Sequence, residues 1–102
     1  MVALLEDKRE AIADLCRKYG VARMDVFGSV LRDDFQPGRS DIDFLVDFSS
    51  RDPYRLADDY FDLLDEMRDL LGMEIDLVMV GAVKNRYIAA DIERTKKLLY
   101  AA

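Results

Sequence analysis

The sequence predicts a small α/β protein in which a mixed sheet of about three strands is flanked by helices. Two observations carry this. Short stretches alternate apolar and polar residues, while the longer segments between them repeat apolar residues at helical spacing. Glycine or proline punctuates most of the joins. At 102 residues the chain reads as one domain, residues 1–102, with a modest core.

"LLEDKREAIADLCRKYG" is expected to be an amphipathic helix, with Leu5, Ile12, Leu15, Cys16 and Tyr19 on one face and Gly20 as its stop. "ARMDVF" reads as a strand with Met24 and Val26 on one side and Arg23, Asp25 and Phe27 on the other. Gly28 breaks it, "SVLRD" makes a helical turn or two, and "DFQPGRS" is a loop. "DIDFLVDF" alternates: Ile42, Phe44, Val46 and Phe48 share one face, and Asp41, Asp43, Leu45 and Asp47 the other. A helix follows, with Asp52 as N-cap, Pro53 at its first position and Gly72 as terminator. Leu56, Tyr60, Leu63, Leu64, Met67 and Leu71 form its apolar stripe, opposite a solvated acidic face. "MEIDLVMV" is the third strand, and "NRYIAADIERTKKLLYAA" the final helix, with Ile88, Ile92 and Leu99 on its apolar side. The second and third strands, joined by a full helix, should run parallel through a right-handed crossover. The first and second should be antiparallel if the Gly-Ser turn and the paired aspartates serve one site.

Hydrophobic residues make up 51% of the chain and charged residues 35%, as in a soluble globular protein. No apolar run approaches a membrane span, and "MVALLEDKRE" turns acidic too soon for a signal peptide. The expectation is a cytoplasmic protein without a membrane partner. Lone Cys16 excludes an internal disulfide, the lack of histidine excludes a zinc-type cluster, and Cys16 is read as a core filler. The net charge of −6 argues against extended nucleic acid as the main partner. A small anionic ligand fits if metal ions offset the charge locally.

Strand alternation places Asp41 and Asp43 on one face, with side chains on the order of 6–7 Å apart. Carboxylates this close repel, and burial raises their pKa, so something positive belongs between them. Magnesium suits best, being a hard cation held by carboxylates, water and substrate phosphates. Asp76 brings a third carboxylate from the neighbouring parallel strand, and the three make the ligand set of a two-metal phosphoryl- or nucleotidyl-transfer site. Glu74 is its rival, one pleat repeat away on the same face. Asp25 and Asp47 are expected to face water, Asp25 from an edge strand. Gly28 lets the backbone approach a phosphate, Ser29 opens a helical turn whose N–H groups and hydroxyl receive it, and Arg32 lies one turn on.

Gly28-Ser29, Arg32 and "SDIDFLV" together resemble the signature of the DNA polymerase beta-like nucleotidyltransferase superfamily. Within it the chain is similar, over nearly its whole length, to the minimal nucleotidyltransferase (MNT) proteins, the MntA-like antitoxins of HEPN/MNT pairs. The resemblance implies that Asp41 and Asp43 bind two Mg2+ ions, with Asp76 completing the site and helping to activate the attacking hydroxyl. It implies that Gly28 and Ser29 hold the phosphates of ATP with Arg32 assisting. It also implies a HEPN-family toxin as partner, silenced when AMP passes from ATP to one of its tyrosines. One departure stands out: the family usually places glycine after the arginine, where this chain has Asp33.

The leading expectation is therefore an ATP- and magnesium-dependent adenylyltransferase acting on a protein hydroxyl. The alternative is a catalytically weak or inactive fold that neutralises a partner by binding alone. Transfer to a small molecule or an RNA end comes third, disfavoured by the acidic charge and the absence of an added recognition domain. Homo- and hetero-oligomers are both compatible with the sequence. Tyr87 and Tyr100 are read as packing residues. The basic residues of the last helix, Lys84, Arg86, Arg94, Lys96 and Lys97, complement its dipole or approach phosphate or an acidic partner.

Overall fold

Residues 3–32, 36, 39 and 41–102 are described by the computed structural model, so Asp33, the departure from the family pattern, lies outside the described residues. Helix α1 (Ala3–Lys18) leads into strand β1 (Val21–Phe27), a 3-10 turn (Gly28–Leu31), and strand β2 (Ile42–Phe48). Helix α2 (Pro53–Leu71), strand β3 (Ile75–Met79), helix α3 (Arg86–Thr95) and strand β4 (Lys97–Ala101) follow.

Local chemistry explains these bounds. Leu5, Ile12 and Cys16 recur at helical spacing and are buried on one face of α1. Burial pushes the Cys16 thiol up to about 12 against the lowering effect of Arg17, so this residue packs rather than reacts. The Asp52 side chain accepts from the Tyr54 N–H at 3.1 Å, Pro53 opens α2, and Gly72 closes it in the left-handed region at φ +67°. Asn85 caps α3 by accepting from the Tyr87 and Ile88 N–H groups.

The strands make a sheet in the order β3-β2-β1-β4. β1 and β2 are antiparallel, β2 and β3 parallel, as the connections require. Met24, Val26, Ile42, Phe44 and Val46 leave one sheet face to meet Leu5, Ile12, Leu63 and Met67 from α1 and α2. Each large apolar side chain so buried contributes about 2 kcal/mol, which makes this face the rigid support for whatever the other carries. On that other face Leu45 and Ile92 line a shared cavity of about 120 Å³, so α3 covers part of it. The acidic side of α2 is solvated as expected, with Asp58, Asp62, Asp65 and Asp69 exposed.

The end of the chain differs from expectation. The last helix stops at Thr95, and Lys97–Ala101 form β4, paired antiparallel with β1. The Thr95 hydroxyl donates to the Asp91 carbonyl at 2.8 Å, and Lys96 leaves helical geometry at φ −58°, ψ 151°. Strand pairing satisfies a β1 edge that would otherwise present open backbone groups, and it turns Leu99 into the core. Two further expectations fall here. β1 is an interior strand, and Tyr87 is 73% exposed instead of packed, whereas Tyr100 does pack against the core.

Candidate active site

The 3-10 turn sits against the start of β2. Phe27 is the register partner of Asp43, so the end of β1 delivers Gly28 to that carboxylate. Gly28 has φ +79°, and a Cβ there would lie 2.3 Å from Asp43 Oδ2. Both the backbone conformation and the space therefore require glycine. Ser29 follows, Val30 is buried as the turn's anchor, and the Arg32 N–H closes the turn on the Ser29 carbonyl at 2.9 Å.

Asp76 is the register partner of Asp43 across the parallel pair. Gly28, Asp43 and Asp76 thus form one row along one end of the sheet, and Asp76 is exposed at its outer side. Asp43 is only partly exposed. Its carboxyl is pushed up to about 6, first by burial, then by the charge of Asp76 and a hydrogen bond shared with it, then by Asp41, with Arg32 opposing. Asp41 lies exposed one residue before β2, outside the strand that alternation predicts for it. Among the described residues no three acidic or cysteine side chains converge into a metal-holding group. Arg32 is the guanidinium that opposes this negative charge among the described residues, and carboxylate oxygens are the donor type that hard divalent cations take. Glu74, the rival, precedes β3 and pairs with Arg68 at 3.2 Å, away from the row.

Asp25 is not at the wet edge predicted for it. It is 2% exposed, because β4 covers the side of β1 where the sequence predicts an open edge. Arg23 Nε and Nη2 donate to its two oxygens at 2.9 and 3.1 Å, and Lys96 Nζ stands at 3.8 Å. Asp47 behaves as expected, partly exposed and 3.6 Å from Arg51.

A cavity of about 580 Å³ opens beside the turn, between Gly28, Leu31 and Arg32 on one side and the α3–β4 corner on the other. Arg94 and Lys97 line that corner. Sequence reasoning places both on a helix, and only the break at Lys96 brings Lys97 opposite Val26 in β1. No local signal in the sequence marks that break.

The family model for the nucleotidyltransferase domain matches residues 8–99. A solved "Structure of putative minimal nucleotidyltransferase" aligns at a TM-score of 0.76 and 32% identity, covering 91% of this chain and 90% of the other. The chain belongs to the minimal nucleotidyltransferase family. Among curated relatives of this nucleotidyltransferase, "Putative protein adenylyltransferase MJ0128" of Methanocaldococcus jannaschii is 44% identical over 79 residues, 78% of this chain and 76% of the relative. A tri-AMPylated Shewanella oneidensis HEPN toxin in complex with MNT antitoxin shares the fold at a TM-score of 0.64 and 18% identity, covering 96% of this chain and 73% of the other.

Proposed function

We propose that this nucleotidyltransferase moves AMP from ATP to a hydroxyl, a tyrosine, of a cognate HEPN-type toxin and so acts as its antitoxin. The observation that carries the reading is the row Gly28–Asp43–Asp76, which sets the Gly-Ser turn against two facing carboxylates. The names of the relatives and of the fold neighbour agree with it: one is called a protein adenylyltransferase, and in the other the toxin carries AMP.

Asp41 and Asp43, with Asp76, would hold two Mg2+ ions, which when bound supply positive charge to the reacting phosphate. The rest belongs to the chain's own groups. Gly28 and Ser29 receive the phosphates through turn N–H groups, and Arg32 adds a cation one turn on. Exposed Asp76 accepts the proton of the incoming hydroxyl, whose oxygen bonds to the α-phosphorus as the bond to pyrophosphate breaks. The rigid sheet orients these parts, and the acceptor hydroxyl comes from the partner.

A second reading, neutralisation by contact alone, draws on Asp41 standing exposed just outside β2. One experiment separates the two. Incubating the chain with labelled ATP, magnesium and the product of the neighbouring gene should label that product. Asp41→Asn combined with Asp43→Asn should abolish both labelling and protection. Protection that survives in the double variant, with no labelling by the native chain, would leave binding alone.

A further inference from the structure

The groove beside the turn has a charge that neither the chain's balance nor the carboxylate row would suggest. The chain carries 21 acidic and 15 basic residues. Yet the described ionisable residues lining this groove are Arg32, Arg94, Lys97 and one acid, Asp91, which pairs with Arg94. Lys97 is exposed, and its side chain makes no ion pair or hydrogen bond among the described residues. Its register partner is Val26, two residues before Gly28, so its backbone is anchored beside the turn. Negative charge collects on the Asp43 side of Gly28, and positive charge on the groove side.

We infer that this groove receives the polyphosphate tail of the nucleotide, with Arg94 and Lys97 as binding residues; the inference rests on the adenylyl-transfer reading above and gives it a direction. The reacting α-phosphate lies at the carboxylate row, and the tail crosses Gly28 toward the α3–β4 corner. As the acceptor oxygen bonds to the α-phosphorus and its proton passes to Asp76, the bond to the β-phosphate oxygen breaks. Its electron pair leaves with pyrophosphate. The charge that accumulates on that leaving group develops where fixed cations face it. A cavity of about 580 Å³ is within the range of small-ligand sites. Leu31 and Ile88 give the groove an apolar wall that would suit a base, but the excess of cationic over acidic side chains along it, with Lys97 outside any ion pair among the described residues, selects phosphate over a neutral ring.

The test is equilibrium binding by calorimetry with magnesium, using the full chain and α,β-methylene ATP, AMP and inorganic pyrophosphate. Lys97→Gln and Arg94→Gln are each expected to weaken the triphosphate and pyrophosphate by about tenfold, the loss of one charge-assisted contact, and AMP by less than about twofold. Lys97→Arg, which keeps the charge, should hold triphosphate affinity within about threefold. Circular dichroism confirms that each variant folds. Triphosphate affinity unchanged in both glutamine variants would overturn the inference and leave the proposed function standing. Equal loss of AMP would place the nucleoside in the groove and overturn it too. Unchanged binding with lost transfer would place the acceptor there and likewise overturn it. A native chain that binds neither nucleotide nor pyrophosphate would overturn this inference and the proposed function together.

Discussion

Two aspartates on the same face of this sheet, Asp25 and Asp43, sit in opposite electrical surroundings. Asp25 is the more deeply buried, and its countercharge is built in, from Arg23 in its own strand and Lys96 at the α3–β4 corner. Asp43 is the less buried, yet the charges of Asp76 and Asp41 act on it, with Arg32 alone among the named groups opposing them. A buried charge satisfied within the chain holds structure together. One held among like charges stores a demand for a cation that the fold itself does not meet. The contrast marks Asp25 as a structural carboxylate and supports the proposed functional role of Asp43 without appeal to conservation.

The strongest challenge to this contrast is chemical. Asp43→Asn should lower AMP transfer by on the order of 100- to 1000-fold, read with labelled ATP, while the protein stays folded. Gly28→Ala should cost nearly as much, because its Cβ would meet the Asp43 carboxylate at 2.3 Å in a left-handed backbone. Asp25→Ala should do the reverse. It leaves Lys96 and Arg23 facing a vacated buried site and should cost about 2 kcal/mol in urea denaturation, with transfer per folded molecule little changed.

A smaller effect has a definite sign. The folded Asp43 carboxyl, at about 6, lies above its unfolded value, so the folded chain binds this proton more tightly. Its contribution therefore favours folding below that pH and declines as pH rises through about 6. At pH 7.5, without magnesium, Asp43→Asn should be more stable than the native chain by about 1 kcal/mol, after allowance for solvent screening at this half-open site. The advantage should vanish near pH 4. Least of all, Glu74→Gln should change transfer by less than about twofold, since it removes only an exposed pair with Arg68.

The placement of most of the candidate site was legible because it depends on short-range rules. Alternation placed Ile42, Phe44 and Val46 in the core and Asp43 opposite them, and the crossover rule made β3 parallel, which puts Asp76 in register with Asp43. What was not legible traces to one segment. Ile88, Ile92 and Leu99 keep a helical spacing through Lys96 and Lys97, and nothing nearby announces that Lys97–Ala101 pair with β1. That pairing depends on an open edge far away in sequence, which a local window does not contain. Without β4, β1 reads as an edge, Asp25 faces water, and the groove at Lys97 does not exist. One unread strand thus accounts for these three differences, whereas the exposed Tyr87 and the start of β2 after Asp41 are separate local departures.

Whether the row is a cation site is decided by titrating the Asp43 carboxyl itself, followed by NMR with carbon-13-labelled aspartate and assigned through Asp43→Asn. Without divalent ions the midpoint should fall near 6, and saturating magnesium with α,β-methylene ATP should lower it markedly as cations displace the Asp43 proton. A midpoint in the ordinary aspartate range near 4, unmoved by magnesium and nucleotide, would mean that the row neither stores like charge nor gathers cations.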